Sequence, residues 1–362
     1  MDFTVDATAT AVGDVVSDLL RRHTPVWEAE FAEPGGFDTE LYSSVHRAGL
    51  LALALPSANG GDDVGLIGLH PLLRALGSAA AVTPTPGTVV AAAVATDPVS
   101  ASLVETIVDA GGHIAVAVSE PGSPLTTTPQ TSLSHGRLRG TKTAVLHAQG
   151  SAALLVTTDS GAVLVDTDAA GVSVTATPSS TGWGEYTVRF DDVAVPDDRV
   201  VARDARVVRD AHRFALSAYA DGVLAGALRI TADHVTQRVQ FGKPIATFQA
   251  VTQQLADIYV VGRSMNLAVT SAVWRMSEGL DADRDLSIAA YWLAAEMPAT
   301  LRTMTHLHGG VGVDITYPLH RYASIVKDLA RLVGGPMARL DELAESSVFA
   351  DELAESSVEE GI

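Results

Sequence analysis

The sequence predicts a mostly helical protein with a β domain in its middle. Residues 1–113 are expected to form a helical N-terminal domain, 114–205 an antiparallel β domain, 206–340 a helical bundle and 341–362 an acidic tail. Apolar residues recur every three or four positions at both ends of the chain, which is the period of an amphipathic helix. Short β-branched runs separated by Gly, Pro, Asp and Ser occupy the middle, as in antiparallel sheets.

The first third of the chain is predicted to be helical. Val15, Leu19 and Leu20 define one apolar stripe, and a second helical pattern covers residues 31–55. A Pro-Ser-Ala-Asn-Gly-Gly segment then indicates a loop, and another helix is expected over 66–76.

Five strands are predicted in the middle domain, and long helices follow it. The strand-like segments are 114–118, 152–157, 162–165, 172–175 and 186–190. Apolar residues spaced by three or four positions from Ile245 to Val261 mark one buried helix face. Similar helices are expected over 211–237, 284–307 and 318–333, and long helices in series indicate a bundle.

Composition and charge exclude several functions. The 362 residues contain no Cys, so disulfides, thiolate metal sites and a Cys nucleophile are ruled out, and no metal site is predicted. The formal net charge of −19 disfavours nucleic acid and anionic membranes as partners. The acidic N-terminus is unlike a signal peptide and no apolar run reaches transmembrane length, so we expect a cytoplasmic protein.

The acidic tail contains an exact internal repeat. The octapeptide that begins at Asp341 recurs at Asp351, and the tail holds eight acids and no base. A short acidic repeat of this kind is most often a frayed helix, so no function is predicted for it.

Five motifs in order resemble those of the acyl-CoA dehydrogenase family. They are Ser119-Glu120-Pro121-Gly122, Gly140-Thr141-Lys142, the segment from Phe190 to Pro196, the segment from Arg238 to Ile245, and His308 to Gly312 with Tyr317-Pro318 after it. The resemblance spans roughly residues 30–335. It implies the acyl-CoA dehydrogenase fold, with a C-terminal four-helix bundle, and FAD as the cofactor. It also implies tetramers in which FAD lies across a subunit interface.

The resemblance assigns the diphosphate and adenine end of FAD to segments of a neighbouring subunit. Arg238 would bind the diphosphate, because a guanidinium matches it in charge and in paired hydrogen bonds. Gly309 and Gly310 would let the backbone approach the dinucleotide closely. The other candidate contacts are Gln240, Phe241, Gly242, Ile245, Phe248, Val251 and His306, the last at a position where most members carry Gln. Phe248 and Val251 could equally belong to the bundle core.

The usual catalytic base is missing from both positions that the family uses. Dehydrogenation of a thioester removes a proton from Cα, and a well-placed carboxylate must accept it. The resemblance puts that Glu either after the Tyr-Pro segment, where this chain has Val333, or 26 residues before Arg238, where it has His212. No catalytic residue is therefore assigned to this chain.

The expected flavin-ring contacts are missing too. The family's Trp-Ile-Thr is here Ala144-Val145-Leu146, and the loop after Gly122 lacks the usual Asp. Because the losses fall on the ring side, we predict a subunit that completes the FAD site of a paralogous partner. This resembles the α2β2 acyl-CoA dehydrogenases of actinobacterial steroid catabolism. The resemblance implies a steroid side-chain acyl-CoA in the partner's pocket and an electron-transfer acceptor.

Two other interpretations stay open. A self-sufficient homotetramer could use His212 as its base, since a neutral imidazole can accept a proton near pH 7, with Asp210 or Asp221 as the next candidates. A CoA-binding or assembly module without FAD is the other, although it would have no use for the segment from Arg238 to Gly242.

Overall fold

The computed structural model describes residues 7–23 and 36–345, which form helices at both ends and a β domain between them. The N-terminal helices are α1 Ala7–Arg22, α2 Thr39–Arg47, α3 Gly65–Ser78, α4 Thr85–Val94 and α5 Pro98–Asp109. Asp38 and Asp97 cap α2 and α5 by accepting hydrogen bonds from backbone N–H groups of the first turn.

The helix predicted over 31–55 is much shorter than expected. Residues 24–35 lie outside the described part of the chain, and α2 ends at Arg47. Gly49, with a φ of +73°, then begins a series of turns. Leu50 and Leu55 are buried all the same. The apolar spacing that predicted a helix therefore reflects core packing of irregular backbone.

The middle domain consists of two four-stranded sheets. Its strands are β1 Ile114–Ala117, β2 Ser132–Ser134, β3 Arg137–Leu146, β4 Ala153–Thr158, β5 Gly161–Asp166, β6 Val172–Thr177, β7 Glu185–Ala194 and β8 Val200–Ala202. The sheet orders are β1-β4-β5-β8 and β2-β3-β7-β6. Neighbouring strands are antiparallel except for β1 and β4, which are parallel. The five predicted strands are present, whereas β2, β3 and β8 escaped prediction.

The C-terminal part is a bundle of long helices. They are α6 Ala205–Gln237, α7 Gln249–Ser277, α8 Asp283–Tyr291, α9 Met297–His308, α10 Leu319–Leu332 and α11 Gly335–Glu345, with two short strands, β9 Val239–Gln240 and β10 Lys243–Pro244. The helix predicted over 284–307 is divided by a π-helical turn at Trp292–Glu296. Pro298, just inside α9, has no N–H to donate to the preceding turn, so the helix opens there.

Glycines bring α3 and α6 into close contact. A Cβ at Gly222 would lie 2.0 Å from the carbonyl oxygen of Arg74, and one at Gly77 would lie 2.0 Å from that of Tyr219. Only glycine fits such a contact. The helices from both ends of the chain share one hydrophobic core, which fixes the position of α6.

Part of the acidic tail belongs to the bundle. Asp341 and Glu342 lie within α11, where Glu342 accepts hydrogen bonds from Arg339 and from Arg213 of α6, the latter at 2.7 Å. Arg213 is fully buried. The second copy of the repeat lies outside the described residues.

Candidate cofactor-binding site

The Arg238 segment forms a short hairpin at the end of α6. Arg238 follows the last residue of the helix, and its N–H donates to the carbonyl of His234 at 2.8 Å. Strands β9 and β10 form an antiparallel pair in which Lys243 lies opposite Gln240. Phe241 and Gly242 form the turn with φ of +54° and +81°, the signature of a two-residue type I′ turn.

Phe241 occupies an unfavourable position by two criteria. A positive φ strains an aromatic residue, at roughly 1–2 kcal/mol. Its side chain is also 93% exposed. The hairpin therefore holds an apolar ring outward in a strained backbone, as expected of a residue that completes a contact with another molecule.

Other candidate contacts lie beside the hairpin. The rings of Phe241 and Phe248 meet edge to face at 6.2 Å, and the Lys243 ammonium lies 4.4 Å from the centre of the Phe248 ring. Ile245 and Val251 are half-buried and pack against the bundle core. Ile245 and Val251 therefore contribute to the bundle core, and only the exposed parts of their side chains are open to a cofactor.

The second candidate segment is the loop after α9. His306 is exposed, and Gly309 has a φ of +64° that favours glycine. Gly310 has no such backbone requirement, and no described atom lies within 4 Å of where its Cβ would be. Neither the backbone φ nor a neighbouring atom of the described chain requires glycine at position 310. The missing side chain would instead let a ligand approach the backbone closely.

One surface cavity brings the two segments together. It measures about 520 Å³ and is lined by Ile230, Asp233, His234, Gln237, Arg238, Val311 and Tyr317. Arg238 from the end of α6 and Val311 from the loop after α9 therefore face the same space. The Arg238 guanidinium and the backbone of the glycine-rich segment offer hydrogen-bond donors that suit the diphosphate of FAD, and the exposed Phe241 ring beside them offers an apolar face. No role was predicted for His234, whose only signal was its proximity to Arg238, and Tyr317 was included only as part of the motif that follows Gly312.

The segments that the family resemblance assigns to the flavin ring pack against other parts of this chain. Val333 is fully buried at the end of α10, and the next residue, Gly334, touches the loop after β1. A Cβ at Gly334 would lie 2.7 Å from Cγ of Pro124. Pro124 belongs to the loop that the family resemblance places near the flavin, and this loop packs beside Val333, one of the two positions where the resemblance expects the base.

Polar groups in that loop are engaged within the chain. Ser119 Oγ accepts the N–H of Leu125 at 3.1 Å. The buried Lys142 ammonium donates to Glu120 at 2.8 Å and to Thr157 at 2.9 Å. Glu120 also accepts two backbone N–H groups of the same loop. The ion pair therefore fixes the loop from within the β domain.

A small apolar cavity remains between the domains. It measures about 50 Å³ and is lined by Ala81, Val82, Thr83, Pro84, Pro86, Gly87, Ile114, Val116, Leu146, His147, Trp183, Ala215, Leu216, Tyr219 and Leu329. Among these residues there is neither Asp nor Glu. Burial lowers the pKa of His147 to about 3, which keeps its ring neutral. A cavity of this size is too small for an acyl chain and a flavin ring.

The three alternative bases, His212, Asp210 and Asp221, are not among the residues that line the small cavity. Burial lowers the pKa of His212 to about 4, and His212 does not line the small cavity. Asp210 lies 2.7 Å from Arg209, and burial raises the pKa of its carboxyl. Asp221 accepts hydrogen bonds from Arg74 at 2.7 Å and from Asn266 at 2.9 Å, deep between α3, α6 and α7.

No helix within the described ranges is both long and apolar enough to cross a bilayer. The same residues contain no cluster of three or more His, Asp or Glu side chains suited to a metal ion.

Comparison with known proteins identifies the family. Residues 208–339 match the model of the acyl-CoA dehydrogenase C-terminal domain. The acyl-CoA dehydrogenase FadE28 of Mycobacterium tuberculosis is 41% identical over 358 residues, which cover 95% of this chain and 98% of that protein.

Two solved structures extend the similarity to the whole fold. The ChsE4-ChsE5 complex from Mycobacterium tuberculosis matches with a TM-score of 0.85 at 31% identity, covering 96% of this chain and 100% of the other. A variant of the Tcur3481-Tcur3483 steroid ACAD matches with a TM-score of 0.86 at 31% identity, covering 98% and 100%. This chain therefore belongs to the acyl-CoA dehydrogenase family of FAD-dependent oxidoreductases.

Proposed function

We propose that this chain is the subunit that completes the FAD site of a paralogous catalytic partner in an α2β2 acyl-CoA dehydrogenase. Two relatives of known structure at 31% identity carry two components in their names, ChsE4 with ChsE5 and Tcur3481 with Tcur3483. The second is described as a steroid ACAD, which supports a steroid side-chain acyl-CoA as the substrate, bound in the partner's pocket.

One observation carries the proposal: the two halves of the expected cofactor surface differ in this chain. The hairpin with Arg238 and Phe241 is open and faces outward. We take the ring side to be closed, because Pro124 lies against Gly334 and the cavity that Leu146 lines measures about 50 Å³. Exposure of the hairpin would be expected in any member of the family. The closed ring side is the feature that favours a half-site.

The proposal gives each retained residue a task. Arg238 would hold the diphosphate, and Phe241 would cover part of the cofactor. Because Gly309 and Gly310 have no side chains, the cofactor could approach the backbone closely there. When bound, FAD supplies the acceptor for the hydride that leaves Cβ of the acyl-CoA. The base that takes the Cα proton would come from the partner, since the position after α10 carries the buried Val333.

A homotetramer with His212 as its base is the second candidate. A conjugate acid with a pKa of about 4 makes His212 a weak base, and it does not line the small cavity. A homotetramer would also need an open flavin-ring site in this chain, which does not agree with the packing of Pro124 against Gly334.

Paired variants in the co-expressed complex test the proposal. Arg238→Ala should remove FAD from the complex, while Arg238→Lys keeps the charge but not the paired hydrogen bonds and should retain part of the binding. His212→Ala should leave turnover nearly intact. If His212→Ala abolishes turnover while FAD stays bound, the homotetramer is the correct account and the half-site proposal fails.

A further inference from the structure

Two histidine rings stack between the candidate cofactor segments. His234 lies in the last turn of α6, four residues before Arg238, and His308 is the last residue of α9, directly before Gly309. Their ring centres are 4.3 Å apart and their planes differ by 23°. The stack therefore joins the helix end that carries Arg238 to the helix end that carries the glycine loop.

His308 has one nitrogen free to accept a proton. Its Nδ1 lies 2.8 Å from the carbonyl oxygen of Met304, so Nδ1 carries the hydrogen and donates it. Its Nε2 is buried, and nothing in the described part of the chain hydrogen-bonds to it. The neutral ring thus holds a lone pair at Nε2 in a protein interior, ready for protonation if a negative charge arrives nearby.

The titratable groups around the stack come from the end of α6, from Tyr317 in the segment before α10, and from α10 itself. Asp233, Arg238 and Tyr317 line the surface cavity together with His234. The Tyr317 ring lies 5.3 Å from His308, and His320 Nδ1 donates to the Tyr317 carbonyl at 2.7 Å. Burial is the main cause that lowers the pKa of both His234 and His308, and repulsion from a protonated His308 and from Arg238 lowers that of His234 further. Both rings are therefore neutral near pH 7 in the free protein.

We propose that the His234–His308 pair takes up one proton when the diphosphate of FAD docks on Arg238. The proposal rests on the proposed function, because it requires Arg238 to hold that diphosphate. An anion in the cavity shared by His234 and Arg238 stabilises an imidazolium there. Two adjacent imidazolium rings would repel each other, so the stacked pair takes one proton and not two.

Linkage fixes the direction of the effect. The complex with FAD binds more protons than the free complex, so FAD binds more tightly as the pH falls. The affinity should rise as the pH falls from 7.5 to 6.5, by at most about tenfold, which is the limit for uptake of one proton per FAD. A purely structural stack of two rings would give no such dependence.

The test measures FAD binding to the FAD-free complex with its partner subunit. Calorimetric titration with FAD in two buffers of different ionisation enthalpy counts the protons taken up. The wild-type complex should take up close to one proton per FAD at pH 7. The double variant His234→Phe/His308→Phe keeps two stacked rings and should bind FAD at pH 8 while losing the pH dependence.

Two single variants separate this pair from other histidines. His306→Gln replaces the exposed histidine of the same segment, and His135→Gln replaces one in the distant turn between β2 and β3. Both should retain the uptake of one proton per bound FAD, even if His306→Gln changes the affinity, because His306 is itself a candidate FAD contact. Loss of uptake in His306→Gln would overturn the proposal, as would wild-type binding with no uptake. If Arg238→Ala binds FAD as the wild type does, the proposed function itself fails.

Discussion

Replacing Phe241 by Asn should stabilise the free chain while weakening its cofactor site. Phe241 has a φ of +54°, a region in which Asn is far better tolerated, so relief of strain gives about 1 kcal/mol. The ring is 93% exposed, so little burial is lost in the free chain. The edge-to-face contact with Phe248 is worth about 0.5 kcal/mol at this exposure, which leaves a net gain of roughly 0.5 kcal/mol.

The same substitution removes the ring from the FAD contact. Burial of a Phe side chain is worth about 1.5–3 kcal/mol, so FAD should bind roughly 10- to 150-fold more weakly. Chemical denaturation of the FAD-free chain measures the first effect, and titration of the FAD-free complex measures the second. Phe241→Ala is the control, because it loses the ring and keeps the strain. Unchanged FAD affinity in both variants would refute this account of the hairpin.

Further predictions concern the core, the β domain and acid stability. Gly222→Ala should lower the free energy of unfolding by about 3 kcal/mol, the upper end of the usual cost of overpacking, because the new methyl group would lie 2.0 Å from the Arg74 carbonyl; urea denaturation measures it. Lys142→Met leaves the Glu120 carboxylate buried without its cation and should cost about 3–5 kcal/mol, whereas removing both charges should recover much of that loss. His212 has a pKa of about 4 when folded and about 6.5 when unfolded, so the native chain binds fewer protons and loses stability as the pH falls from 6.5 towards 4. His212→Gln should flatten that loss by up to about 1.4 kcal/mol per pH unit, and an unchanged slope would contradict the assignment.

The helices and strands that could be predicted from the sequence are those marked by a local pattern of apolar or β-branched residues. Apolar periodicity located α3 and the helices of the bundle, and β-branched runs located five strands. The prediction failed for β3, where Gly140, Lys142 and two register shifts break the alternation. It also failed for residues 48–55, where apolar spacing serves irregular backbone.

The candidate site shows the same division. Motifs located Arg238 and Gly310, because both lie in segments whose order along the chain is distinctive. Two features depend on side chains far apart in sequence: the contact of Pro124 with Gly334 and the stack of His234 on His308. No local pattern encodes such contacts, so only the folded structure could reveal them.

The amount of FAD in the purified complex tests the central claim most directly. The complex of this chain with its partner would be isolated, and flavin absorbance would be compared with the concentration of each chain. A half-site subunit predicts one FAD for every two chains, with this chain nearly colourless when it is expressed alone. One FAD per chain, or a yellow and active assembly of this chain by itself, would contradict the account.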